Sequence, residues 1–341
     1  MVHKCFFKFK FEKNMKKILK ILLVFVVIVV LIAVAGYIYL LKVYPKVAKA
    51  EDIKIEVTQA RLERGKYLVN NVCACVDCHS NRDFSMFGAP LVEGTEGKGG
   101  FEFNEDFGLP GKFYARNITP ASLGSWTDGE IIRAITQGVS RDGEPLFPLM
   151  AYPNYGSMDK EDIYSIITYL RTLKPIENVV PESRPSFPVN LIMRTIAGSN
   201  NFGKMPDKSN TVEYGKYLVN AANCSDCHTP SDNGKPIMDK YLSGGDGAVF
   251  PGNLIVRPAN ITPDIKTGIG SWSRQDFINK FRSYSKEKFV PVKLNQGDFN
   301  TYMPWTFYGN MTEEDLGAIY DYLRTIPAIE HSVTKFEKKL Y

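Results

Sequence analysis

Histidine is scarce in this chain: His3, His79, His228 and His331 are the only four in 341 residues. Cysteine is scarce too. Of six, Cys5 stands apart, while Cys73, Cys75 and Cys78 share one short stretch and Cys224 and Cys227 another. A disulfide framework spaces its cysteines along the chain, so this clustering argues against one. A structural zinc site needs about four Cys or His ligands, and almost none remain outside the two stretches. The body also lacks a basic surplus. Residues 1–44 hold eight lysines and one glutamate, or +7, so with a net charge of +5 the remainder carries −2. That balance excludes a nucleic-acid footprint.

What is present begins with a run of 21 residues without a charge, 21–41. As a helix it spans ~31 Å, the thickness of a bilayer's hydrocarbon core. It predicts a single transmembrane helix, with 1–20 as a cytoplasmic segment. The alternative is a long signal peptide cut after Ala50. Lys4, Lys8, Lys10, Lys13, Lys16, Lys17 and Lys20 precede the run. By the positive-inside rule they keep that end in the cytoplasm. Met15 also reads as a translation start, which would leave His3 and Cys5 outside the mature protein.

The body is written twice. "RGKYLVNNVCACVDCHS" (64–80) answers "YGKYLVNAANCSDCHT" (214–229). "RNITPASLGSW" (116–126) answers "ANITPDIKTGIGSW" (259–272), and from Met150 onward the offset is a constant 153. Domains are expected at 55–175 and 208–330, with a proline-bearing, mostly irregular linker 176–207 and a tail 331–341. Thr127 with Glu130 and Ser273 with Asp276 predict capping boxes. Asp159 and Thr312 predict the start of a last helix in each unit, with Ile163, Ile166, Ile167 and Leu170, and Leu316, Ile319, Tyr320 and Leu323, on its apolar face. Long Gly/Pro-rich stretches lie between, so the polypeptide alone offers little core. The fold class expected is all-α: two tandem domains wrapped around something else.

Cys75-x-x-Cys78-His79 and Cys224-x-x-Cys227-His228 match the signature for covalent haem c. Two thiols add to the vinyl groups on one edge of the porphyrin, and the following histidine lies under the iron. A redox dithiol or half a zinc site would fit a single copy; duplication weighs against both. The expected cofactors are two haem c. The first unit has one residue more than the second between its glycine and its cysteines, near Cys73. Cys73 is then either a free thiol or the first thiol of a Cys-x4-Cys-His attachment.

The sixth iron ligand largely sets the potential. His3 precedes the membrane segment, and His331 reads as a solvated tail residue. Two methionines recur in each unit. Met158 and Met311 stand just before helix caps, where a hydrophobic staple belongs. Met150 and Met303 lie in proline-bearing loops suited to pinning a thioether against a flat ligand, so they are the expected axial ligands, the alternative being a packing role. Asn117, Trp126, Asn260 and Trp272 also recur; they either line the haem pocket or shape the loop.

These motifs resemble the class I cytochrome c family, and more narrowly the tandem cytochrome c subunits of membrane-bound alcohol- and gluconate-type dehydrogenases. The resemblance covers about residues 58–330 and implies iron held by His79 with Met150 and by His228 with Met303. It departs in places. Those subunits commonly carry three haems. Ala151 stands where a proline follows the methionine, and the second unit has an extra stretch at 283–301.

The function expected is electron transfer rather than catalysis: a membrane-anchored dihaem carrier between a dehydrogenase or reductase and a terminal oxidase, or soluble redox proteins. The alternatives are a subunit fixed in a dehydrogenase or oxidase complex, and a dihaem enzyme such as a peroxidase. Bacteria attach haem c outside the cytoplasmic membrane. The expected location is therefore the inner membrane, with the haem domains on the periplasmic side and the N-terminal helix in the bilayer.

Overall fold

The computed structural model describes residues 2–250 and 254–338, with side chains from Met15 onward and Phe250 described by its backbone only. His3 and Cys5 therefore lie outside the described side chains, as do the last residues of the tail, 339–341. The chain divides into two units, Met1–Lys46 and Val47–Tyr341.

The first unit is a single helix, α1 (Val2–Val43). Its stretch Met15–Val43, 29 residues, is long and apolar enough to cross a membrane. The helix takes in most of segment 1–20 as well, because lysine is a good helix former and no proline interrupts it.

The second unit holds seven helices of eight residues or more among its described residues: α2 (Gln59–Tyr67), α3 (Asp128–Gln137), α4 (Lys160–Leu170), α5 (Val189–Ile196), α6 (Thr211–Ala221), α7 (Arg274–Arg282) and α8 (Glu313–Leu323). Local chemistry sets their starts. Both expected capping boxes form, at α3 and α7. Asp159 and Thr312 cap α4 and α8 by accepting from the Glu161 and Asp315 backbone N–H groups. The predicted apolar faces are buried: Ile163, Ile166, Ile167 and Leu170 on α4, and Leu316, Ile319 and Leu323 on α8. Burying each such side chain contributes about 1.5–3 kcal/mol.

The same pairing occurs twice. Helix α2 packs on α4, and α6 packs on α8. Glycine permits the close approach. A Cβ on Gly65 would collide with the Ser165 carbonyl oxygen, and one on Gly215 with that of Ala318. One continuous hydrophobic cluster runs through both halves of the unit, with Leu68, Ile163, Tyr214, Leu218 and Leu316 at its centre.

Among the described residues three small antiparallel sheets correct the all-α expectation. Glu102–Phe103, Gly111–Tyr114 and Arg184–Pro185 form one, and Ala248–Phe250, Leu254–Val256 and Phe336–Lys338 form its counterpart. Ser231–Asp232 pairs with Lys235–Pro236 in a two-stranded hairpin. Strands of two to four residues are too short to show alternation, so they read as Gly/Pro-rich loop. The linker 176–207 is mostly irregular, yet it contributes α5 and the strand Arg184–Pro185. The tail contributes Phe336–Lys338, and Arg184 and Glu337 stand at the same offset of 153, so the duplicated pattern reaches residues 185 and 338.

The extra stretch 283–301 straps the second half onto the first. Phe87 N donates to Val292 O (2.8 Å), and Leu294 N to Ser85 O (2.8 Å). Asn300 Oδ1 accepts from Gly88 N (3.0 Å), and the Phe87 ring meets Tyr284, Phe289 and Phe299.

Candidate functional site

Each cysteine pair sits on a single helical turn, Cys75–Cys78 and Cys224–His228. The residue before each turn is left-handed, Ala74 at φ 46° and Asn223 at φ 53°, which redirects the chain into it. Cys78 and Cys227 are exposed, Cys75 and Cys224 half-buried, and all four thiols are free. Tyr155 OH spans the approaches to the two turns, 3.5 Å from Cys73 O and accepting from Asn223 Nδ2 (2.8 Å), so the two cysteine turns lie close together.

The extra residue near Cys73 has a local explanation. Helix α6 continues as regular helix, and Ala222 N bonds Leu218 O (2.8 Å). In the first half, Leu68–Val72 is a π turn, and Cys73 N bonds Leu68 O (2.8 Å), one residue further back. A π turn absorbs one inserted residue. Cys73 thus takes the place of Ala222: Tyr308 OH donates to Ala222 O (2.7 Å), and Tyr155 OH lies 3.5 Å from Cys73 O. Its thiol is buried in the core and, through that burial, held well above its ordinary pKa. This arrangement favours the free-thiol alternative over Cys-x4-Cys.

Both histidines are oriented by the loop that follows. His79 Nδ1 lies 2.6 Å from Arg116 O, and His228 Nδ1 lies 2.7 Å from Ala259 O. A carbonyl only accepts, so each Nδ1 carries the proton and each Nε2 offers a lone pair to a metal. Burial lowers both imidazole pKa values, which keeps the rings neutral and ready to ligate.

Asn117 and Asn260 follow those carbonyls. Asn117 Nδ2 donates to Ile176 O (2.8 Å), and its Oδ1 accepts from Thr119 N and Oγ1. Asn260 repeats this with Ile329 O (2.8 Å) and with Thr262. These bonds shape the loop. Trp126 and Trp272 pack partly buried against the core. Arg171 Nη2 donates to Trp126 O (2.6 Å), and Tyr320 OH to Trp272 O (2.7 Å).

The two methionine pairs separate by burial. Met158 and Met311 are fully buried, next to the caps of α4 and α8. Met150 ends a one-turn 3-10 helix, Pro148–Met150, and Met303 lies in the loop before the short helix Trp305–Tyr308. Both are half-buried against the core.

His331 corrects the expectation of a solvated tail residue. It is half-buried, and its Nδ1 lies 2.8 Å from Ser243 O, beside the loop after the second cysteine turn. Asn178 does the equivalent work, donating to Lys98 O (2.9 Å) and Gly99 O (3.2 Å). Single-sequence reading missed this because one position holds His and the other Asn; the constant offset was the available signal.

Among the described residues no group of three or more His, Cys, Asp or Glu side chains could hold a bare metal ion. Each cysteine turn does carry the donors that covalent haem c uses: two thiols one turn apart and, next to them, an imidazole whose Nδ1 is tied to a carbonyl.

Comparison with known proteins agrees. Residues 212–327 match the cytochrome c family. The fructose dehydrogenase cytochrome subunit of Gluconobacter japonicus is 28% identical over 295 residues, 81% of this chain and 55% of that protein. The cytochrome c subunit of alcohol dehydrogenase (quinone) from Gluconacetobacter polyoxogenes is 28% identical over 296 residues, 81% of this chain and 58% of that protein. A diheme cytochrome c-type protein of Cereibacter sphaeroides is 28% identical over 269 residues, 75% of this chain and 83% of that protein. The chain thus spans little more than half the length of the two dehydrogenase subunits. It contains a cytochrome c domain, residues 212–327, and is homologous to the cytochrome c subunits of fructose and alcohol dehydrogenases.

Proposed function

We propose that this chain is a membrane-anchored dihaem cytochrome c that carries electrons as the cytochrome subunit of a dehydrogenase, toward a terminal oxidase. The observation that carries the reading is the duplicated donor set, with each histidine's Nδ1 tied to a backbone carbonyl and its Nε2 left free. In this reading there are two tandem cytochrome c domains, and the chain is an electron carrier rather than a catalyst. Cys75 and Cys78 would hold one haem c, with His79 and Met150 as ligands to its iron, and Cys224 and Cys227 would hold the other, with His228 and Met303. Bound there, haem c supplies a one-electron couple.

The protein's own residues do the rest. The Arg116 and Ala259 carbonyls fix the ring tautomers, and a polarised imidazole is a stronger ligand. A thioether opposite a histidine raises the potential. With Met150 and Met303 as the second ligands, no open position would remain for a substrate, which favours transfer over catalysis. The relatives' names support a dehydrogenase as electron donor. The terminal oxidase, and soluble redox proteins as alternative acceptors, follow from the high potential this ligation implies. The diheme relative supports two haems.

In this reading the apolar span crosses the inner membrane with the lysines of 4–20 on the cytoplasmic side, and the haem-bearing part of the chain would then face the periplasm. Tethering raises the effective concentration of membrane-bound partners without tight contacts.

The test is the optical spectrum and haem content of the purified protein. We expect two haems per chain and the weak long-wavelength band of methionine-ligated ferric haem. One haem per chain, or high-spin iron, overturns the reading.

A further inference from the structure

We infer that two reciprocal tyrosine–aspartate braces, Tyr67 to Asp315 and Tyr217 to Asp162, are positioning elements that lock the two haem-attachment turns at a fixed separation. The inference rests on the dihaem reading. Tyr67 OH donates to Asp315 Oδ2 (2.6 Å), and Tyr217 OH donates to Asp162 Oδ2 (2.6 Å). Tyr67 and Tyr217 occupy equivalent places in the repeat, as do Asp162 and Asp315. Each half reaches into the other by the same contact, so the interface is an isologous one made within a single chain.

Each phenol oxygen also accepts a backbone N–H from the helix it braces. Thr312 N lies 3.1 Å from Tyr67 OH, and Asp159 N lies 3.2 Å from Tyr217 OH. The aspartates are almost fully buried, with relative exposures of 4% for Asp162 and 1% for Asp315. Burial, followed by the facing carboxylate, holds both phenols well above their ordinary pKa, so their protons stay in place as donors. A buried carboxylate with a short charge-assisted bond is costly to strand, and that makes the contact specific.

The connectivity gives the braces their consequence. Tyr67 and Tyr217 sit on α2 and α6, which lead directly into the cysteine turns. Asp162 and Asp315 sit in the first turns of α4 and α8, which follow the methionine loops. Each brace thus ties the histidine side of one site to the methionine side of the other. Asn154 Nδ2 reinforces the join by donating to Asn223 Oδ1 (2.8 Å), just before Cys224.

The two braces differ in one respect. Asp162 also takes both arms of Arg64, at 2.8 Å and 2.7 Å. In the place of Arg64, Asp315 has the Tyr214 OH at 3.0 Å, with Lys208 Nζ as a more distant cation at 3.7 Å, so the two braces are held differently and are cut together.

The experiment uses the full-length, haem-loaded protein and the double variant Tyr67→Phe/Tyr217→Phe. The wild type should unfold in one transition reported by both haem sites. In the double variant, haem content, methionine ligation and both potentials should be kept. Its unfolding should split into two transitions, and electron exchange between the haems should slow by about tenfold or more, the scale on which lost orientation acts. One unfolding transition with exchange unchanged overturns the inference, as does a wild type that itself unfolds in two steps. A wild type with a single haem overturns the dihaem reading instead. Should the double variant fail to accumulate, Asp315→Asn keeps an acceptor and should exchange like wild type, whereas Asp315→Ala should slow it. Equal rates in those two variants overturn the inference.

Discussion

The helix that leads to the cysteine turn of the second half runs straight to Ala221, while its counterpart in the first half passes into a π turn at Leu68–Val72. Both nevertheless deliver their cysteines into the same left-handed step and the same one-turn helix. An inserted residue was absorbed where it cost a local hydrogen-bond shift, and the attachment geometry was spared. The constraint that spared it is tertiary. Gly65 and Gly215 hold their helices against α4 and α8, and the tyrosines two residues later engage the opposite half. Slippage past the π turn would break those contacts.

The largest test of this equivalence is steric. Gly65→Ala and Gly215→Ala each put a Cβ into a carbonyl oxygen. Each should destabilise the protein by about 3 kcal/mol or more, at the upper end of overpacking costs. Denaturant unfolding measures this, and a cost below about 1 kcal/mol at either site would break the symmetry between the halves.

Next in size are the methionines. Met158→Ala and Met311→Ala should cost about 2–4 kcal/mol through cavity formation, with methionine ligation intact in both haems. Met150→Ala and Met303→Ala should each remove methionine ligation from one haem and lower its potential. Paired redox titrations and spectra would show it; unchanged ligation in the loop variants would reverse the assignment.

The smallest effects lie at the inserted residue. Cys73→Ala makes the first half match Ala222 and should change stability by less than about 1 kcal/mol, with both haems still covalently attached by mass spectrometry. Loss of one haem would reinstate the Cys-x4-Cys attachment. Ala74→Asn copies Asn223, but Ala74 is buried in the core and Phe307 stands where Asn154 partners Asn223, so the substitution should destabilise by about 1 kcal/mol despite the better fit of asparagine to the left-handed region. Thermal unfolding resolves the sign.

Much of the site was legible in the chain. Cys75, Cys78 and His79 and their second copy are contiguous, so covalent spacing alone put them together. Caps at Thr127, Asp159, Ser273 and Thr312 depend on residues three positions apart at most, and they formed as read. Short strands were not legible: Arg184–Pro185 and Phe336–Lys338 exist because distant segments offer them an edge to pair with. His331 was misread for the same reason, since its partner Ser243 lies 88 residues away.

The sequence by itself determined the apolar N-terminal span, the duplication, the two cysteine turns and the starts of the long helices. Each of these depends on neighbours along the chain. Only the tertiary structure decided that Cys73 is an alanine substitute in a core. It likewise decided that Asn117 and Asn260 spend their hydrogen bonds on loop backbone, and that Tyr67 and Tyr217 exchange partners across the two halves. Those outcomes depend on which groups meet once apolar faces are buried and most buried polar atoms find a partner.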